Sequence, residues 1–295
     1  MDVCDAVASR FSCRAFLPTP VPLATVREIL ERAARAPSGG NLQPWRVHAL
    51  AGAVLEDLKA RIRPHAPANP RGEGAEYQVY PSPLKEPYNA RRFEVGALLY
   101  RALGIPREYR AARYRQYARN FEFFGAPVGL IVSVDRSMGP PQWSDLGMYV
   151  QTVMLLARAY GLVSCSIEAW TFWHKTAAAF LALPDEQMVF CGIALGHGDL
   201  VAPVNRWRSP REDVDGFAAF LGFRDPDPPA GCRSPDAVRG KNCRLFRPHH
   251  LQSLGQGPEL TAGNVWQMNV DVAGPTSWPP DRPGEKANAP PRHRG

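Results

Sequence analysis

Residues 145–160, DLGMYVQTVMLLARAY, decide how this chain folds. Leu146, Tyr149, Val150, Val153, Met154 and Leu156 cover most of a helical circumference, so this helix has to be buried and central. Before it, residues 128–134, VGLIVSV, form a short apolar run of the buried-strand type. After it, strands are predicted over 162–167 and 188–195, with a helix over 175–183 between them. Towards the N-terminus the pattern gives helices over 107–120, 91–103 and 54–63, and a strand over 45–50. An amphipathic helix over 23–35 places Leu23, Val26, Leu30 and Ala33 on one face, and Pro37 and the following glycines end it. Residues 64–90 are rich in Pro, Gly and Tyr without a period. They read as a long loop, which in a compact domain is more often functional than idle. Strands and helices alternate irregularly, the pattern of a single α+β domain with helices packed on one mixed sheet.

The texture changes after Phe223. Residues 224–295 carry about a dozen prolines, few aliphatic residues and no periodicity, a composition that predicts disorder because burial cannot offset the ordering entropy. The domain division is therefore 1–223 and 224–295. The net charge is +7, yet residues 1–223 hold 25 Lys/Arg against 21 Asp/Glu and no run of five basic residues, so a polybasic nucleic-acid arm is not indicated. Without a long apolar span or a leader pattern, a soluble cytoplasmic protein is expected, with no membrane or nucleic-acid partner. Six scattered cysteines give neither a zinc pattern nor a disulfide framework, and no metal is expected.

Four pieces carry possible chemistry. Arg10, Ser12 and Arg14 in SRFSCR combine guanidinium forks and a hydroxyl, the donors that an oxygen-rich anion takes. A solvated loop after a first helix is the plainer reading. Pro37, Ser38, Gly39 and Asn41 sit in PSGGNLQPW, where glycines permit close backbone approach, or simply a helix-ending turn. Arg206 and Arg208 in NRWR project to one side of an extended chain. Glu168 and Ala169 end a strand in SCSIEAW; Cys165 there is either a nucleophile without an evident His partner or an inert buried thiol.

In their order and spacing these pieces, with QTVMLLARAYG, GIALGHGD and VNRWRSPREDVDGFAAFLGF, resemble the FMN-dependent nitroreductase family over residues 3–223. The resemblance implies a mixed sheet wrapped by helices in an intimate homodimer. It implies that Arg10, Ser12, Arg206 and Arg208 hold the FMN phosphate, with Arg14 nearer the pyrimidine edge. Pro37, Ser38, Gly39 and Asn41 would reach the flavin of the other subunit, backbone groups at Glu168 and Ala169 would face the N5 and O4 edge, and Asn120 would approach the ring. The implied activity is ping-pong: NADH or NADPH reduces FMN, which then reduces a nitroaromatic, a quinone or a similar small aromatic acceptor. No catalytic side chain is assigned. Ene reduction, reductive dehalogenation and flavin binding without turnover are the alternatives. The lid and pocket loops would lie around residues 80–88 and 170–174, where Trp170, Phe172 and Trp173 either stack on an acceptor or belong to the core.

Overall fold

The structure, a computed structural model, describes residues 1–223; the 224–295 segment, predicted above to be disordered, lies outside the described residues. Four strands form one sheet in the order β1-β2-β4-β3, where β1 is Arg46–Ala51, β2 Val128–Asp135, β3 Val163–Ile167 and β4 Gln187–Gly196. Every ladder is antiparallel, and the parallel component expected of a mixed sheet is confined, among the described residues, to the isolated bridge Ser12–Ser164. The helices are α1 Val3–Ser9, α2 Leu23–Ala33, α3 Gly52–Ile62, α4 Tyr88–Ala102, α5 Arg110–Ala118, α6 Pro140–Ala159 and α7 His174–Leu181.

Side chains alternate across a strand, so β2 and β4 each divide their residues between two cores. Leu130, Val132 and Val134 of β2 and Ile193 and Leu195 of β4 pack with Ile29 of α2 and Leu146 and Val153 of α6. Ile131, Val189 and Ala194 face the other way, against α3, α7 and the short turns at Arg119–Gly125 and Glu168–Trp173. That second face carries Gly129 and Gly192. A Cβ on Gly192 would lie 2.3 Å from Trp170 Cδ1, and one on Gly129 would lie 2.8 Å from the Phe123 ring. The missing side chains make room for Phe123 and Trp170 to stack, with centroids 4.6 Å apart. Trp170, Phe172 and Trp173 are thus core residues, at most 6% exposed, rather than a platform for an acceptor.

Helix α6 begins at Pro140, ahead of the apolar run that announces it. Proline suits a first turn, where its missing N–H would have no helical partner, and Gln142 Oε1 accepts from the Gly139 N–H at 3.2 Å. The loop between α3 and α4 is tied down. Glu73 Oε2 accepts from the N–H groups of Lys175 (2.9 Å) and Thr176 (3.1 Å), closing the start of α7. Glu76 lies between Arg136 (2.6 Å) and His174 (2.5 Å), and Tyr77 donates to the Phe190 carbonyl at 2.6 Å. Residues 209–223 are a separate stretch with one short turn, Val214–Gly216. Among the described residues no helix is long and apolar enough to cross a membrane.

Candidate functional site

Directly after α1 the chain becomes extended and runs beside β3. Ser12 bridges Ser164, and the Cys13 N–H donates to the Ser164 carbonyl at 3.0 Å. Alternation then sorts the side chains: Phe11 and Cys13 are buried with Val163, while Arg10, Ser12 and Arg14 remain half-buried on the open side. The strip is held by Asn205, 3% exposed at the end of the Pro203–Asn205 turn. Its Oδ1 accepts from the Arg14 N–H at 2.8 Å, and its Nδ2 donates to the carbonyls of Ala15 (2.8 Å) and Asp199 (2.7 Å). Arg208 follows; its Nη1 donates to the Asn205 and Trp207 carbonyls at 3.0 Å each, and its guanidinium lies 4.1 Å from the Phe11 ring centroid. Arg158, in the last turn of α6, donates to Ser9 Oγ (3.2 Å) and to the Leu162 carbonyl (2.9 Å).

Among the described residues none of Arg10, Arg14, Arg158 and Arg208 is paired with a carboxylate. Desolvation, and then the neighbouring charge of Arg158, pushes the Arg208 guanidinium below its ordinary pKa. Gathering unneutralised guanidinium groups is costly unless an anion joins them, and their forks suit phosphate oxygens. Ser164 Oγ, opposite Ser12, is buried without a hydrogen-bond partner. The thiols nearby are not nucleophiles: burial raises Cys165 despite the opposing effect of Arg14, and raises Cys13 to about 11.

Arg14 also lines a cleft of ≈ 290 Å³ bounded by α4 and α5, with Tyr80, Arg92, Arg113, Tyr117 and Asn120 among its walls. The Tyr117 hydroxyl is buried and unpartnered, and Asn120 Nδ2 donates to the Tyr117 carbonyl at 2.6 Å. The arginine strip and the aromatic cleft therefore meet at one residue, Arg14. Glu168 and Ala169 open the turn after β3, and burial, with a further contribution from the charge of Glu168, raises Tyr80.

Desolvation lifts the Glu168 carboxyl above its ordinary 4.5, although the residue opens to solvent. The unfolded chain thus releases this proton first, so stability falls as pH rises from the unfolded value through the folded one. Glu168→Gln should remove that fall. The variant is expected to melt above the wild type at neutral pH, and thermal melts across the acid range should show the gap closing below the unfolded value.

The remaining expected residues lie apart from the strip. The Gly39 N–H donates to Oδ2 of Asp145 at 3.2 Å, a carboxylate only 4% exposed on α6. Ser38 Oγ accepts from the Gln43 N–H at 3.0 Å, and Gly40 and Asn41 both take φ 57°, a left-handed turn that presents Pro37, Gly39 and Asn41 at the surface. Among the described residues no hydrogen bond joins this turn to the arginines. Arg206 is exposed and likewise makes no hydrogen bond to them. Asn205, Arg158, Asp145, Arg92, Arg113 and Tyr117 were not singled out from the sequence.

The family described as "Nitroreductase family" matches residues 7–197. The chain belongs to the nitroreductase family. Within it, the chain is 39% identical to a 4-nitrobenzoate reductase of Pseudomonas putida, over 74% of this chain and 94% of that enzyme. It is 36% identical to a nitrobenzene nitroreductase of Ectopseudomonas oleovorans, over 74% of this chain and 96% of that enzyme. Among solved structures it is similar to the FMN and NADPH-dependent nitroreductase NfnB from Sphigopyxis sp. strain HMH, with 43% identity and a TM-score of 0.73, covering 76% of this chain and all of that one. The match to the family model ends at residue 197, while the similarity to the 4-nitrobenzoate reductase runs over 217 residues.

Proposed function

We propose that this nitroreductase-family chain is an FMN-dependent NAD(P)H oxidoreductase acting on nitroaromatic and related quinone acceptors. The observation that carries this reading is the unneutralised arginine strip continuing, through Arg14, into an aromatic cleft. The residues fit the cofactor: Arg10, Ser12 and Arg208 would take the phosphate oxygens, Arg206, exposed two residues before Arg208, would have to swing in to join them, and Arg14 would face the pyrimidine edge. When bound, FMN supplies the two-electron exchange between nicotinamide and acceptor. The chain's own task is to place both partners. Tyr117, whose buried hydroxyl has no partner, belongs to the cleft wall, and the turn beginning at Glu168 and Ala169 would flank the ring. Pro37, Ser38, Gly39 and Asn41 stand away from the strip within one chain. A homodimer in which this turn, held by Asp145, reaches the partner's cofactor accounts for their separation. A cytoplasmic setting suits the free thiols of Cys4, Cys13, Cys165 and Cys191.

The visible absorption spectrum of the purified protein tests this. An oxidised-flavin spectrum should appear, bleach on anaerobic addition of NADH or NADPH, and return when a nitroaromatic is added. A protein that stays colourless after incubation with FMN would overturn the proposal.

A further inference from the structure

The cleft beside the arginine strip is aromatic and cationic at once. Tyr80, Tyr100, Tyr117 and Phe124 supply ring surfaces, Arg14, Arg92 and Arg113 line the same space, and no Asp or Glu does. The Arg92 guanidinium lies 4.4 Å from the Tyr80 ring centroid, and that of Arg113 lies 3.7 Å from the Tyr100 centroid. Stacking on a ring holds a guanidinium plane in place while leaving its N–H edge available. Among the described residues neither arginine is paired with a carboxylate. A side chamber of ≈ 220 Å³ shares Tyr100 and Arg113, adds Arg101 and Arg107, and is again without an acidic residue.

Neutral aromatic binding alone does not account for this composition. Aromatic walls suffice to hold a ring, and two further arginines in a cleft with no carboxylate among its lining residues, Glu168 acting on Tyr80 only from outside that lining, are a liability unless an anion arrives. If Arg14 belongs to the cofactor, as proposed above, Arg92 and Arg113 remain for the acceptor. Size agrees: a cavity of ~150 Å³ already takes a benzene ring, so ≈ 290 Å³ leaves room for two substituents.

The geometry points to an aromatic acid as the preferred acceptor: a nitroarene whose ring lies among the tyrosines and whose carboxylate is gripped by Arg92 and Arg113. This rests on the proposed function, because it requires the acceptor to enter the cleft beside FMN. The other anion of the same chemistry is the extra phosphate of NADPH, which visits the protein in the other half of the cycle.

The test uses the flavin-loaded full chain and reads kcat/KM for 4-nitrobenzoate and for its methyl ester, which keeps the ring and the nitro group and loses the charge. The wild type should prefer the acid. Arg92→Gln and Arg113→Gln should each lower the acid-to-ester ratio by about tenfold, since a charge-assisted hydrogen bond is lost, and Arg113→Lys should lower it less. Unchanged ratios in both Gln variants would overturn the assignment. A fall in the NADPH-to-NADH ratio for flavin bleaching, with the acid-to-ester ratio intact, would also overturn it, assigning the arginines to the donor's phosphate. A wild type that holds no bleachable flavin would sink the proposed function and this inference together, whereas a working flavoprotein indifferent to the carboxylate sinks this inference alone.

Discussion

Replacing Arg10 and Arg208 together by alanine is expected to yield a folded protein that has lost FMN affinity by on the order of a thousandfold. Each hydrogen bond to a charged partner contributes about 1.5–3 kcal/mol, and each 1.4 kcal/mol is a decade of affinity. Folding should hardly notice. Neither arginine pairs with a carboxylate among the described residues, and desolvation and the like charge of Arg158 already penalise Arg208. Losing the Phe11 stacking and the two carbonyl contacts of Arg208 works against that relief. The net change should be about 1 kcal/mol or less. Titration of the apoprotein with FMN, followed by flavin fluorescence, gives the affinity, and a thermal melt of the same apoprotein gives the stability. Wild-type FMN affinity in the double variant would remove the phosphate from this strip. A large loss of melting temperature would mean that the arginines serve the fold first.

The sequence makes the sheet and the central helix legible because burial there is periodic. The runs over 128–134 and 188–195 coincide with β2 and β4 within one residue at each end. Where the signal is not periodic the reading falls short. The prolines opening α6 look like a break until their position in the first turn is seen. The 64–90 stretch shows no pattern because Glu73 and Tyr77 find their partners 102 to 113 residues away. The candidate site divides in the same way. In RFSCR the alternation that turns Arg10, Ser12 and Arg14 to one side is written in the letters, with Phe11 and Cys13 between them. Arg158 is hidden inside an apolar helix, and its partner Ser9 lies 149 residues earlier. Arg92 and Arg113 sit on helices that read simply as charged. Only the packing of α4 beside α5 makes them walls of one cleft.

Asn205 is the side chain through which fold and site depend on each other, and Asn205→Ala is expected to damage both. Its amide holds two segments 191 residues apart: Oδ1 accepts from the Arg14 N–H, and Nδ2 donates to the carbonyls of Ala15 and Asp199. The Ala15 carbonyl keeps a second donor, the Asp199 N–H at 3.0 Å. The Arg14 N–H and the Asp199 carbonyl lose the partner that Asn205 gave them. A fully buried group of this kind costs about 1–3 kcal/mol, and these two are half-buried, so the variant should lose about 2–4 kcal/mol, which for a chain of this size lowers the melting temperature by roughly 5–15 °C. FMN affinity should fall as well, because the Arg14 N–H loses the side-chain acceptor that fixes the strip, while the main-chain carbonyl that holds Arg208 is kept. Asn205→Asp separates the two effects only in part: it keeps an acceptor for the Arg14 N–H, loses both donors, and sets a negative charge among the arginines that the phosphate needs. It should therefore bind FMN no better than the alanine variant. The pattern to look for is a contrast. Arg10→Ala loses flavin at an unchanged melting temperature, whereas Asn205→Ala loses both; an Asn205→Ala protein that melts with the wild type and keeps its flavin would show that the strip is held by other contacts.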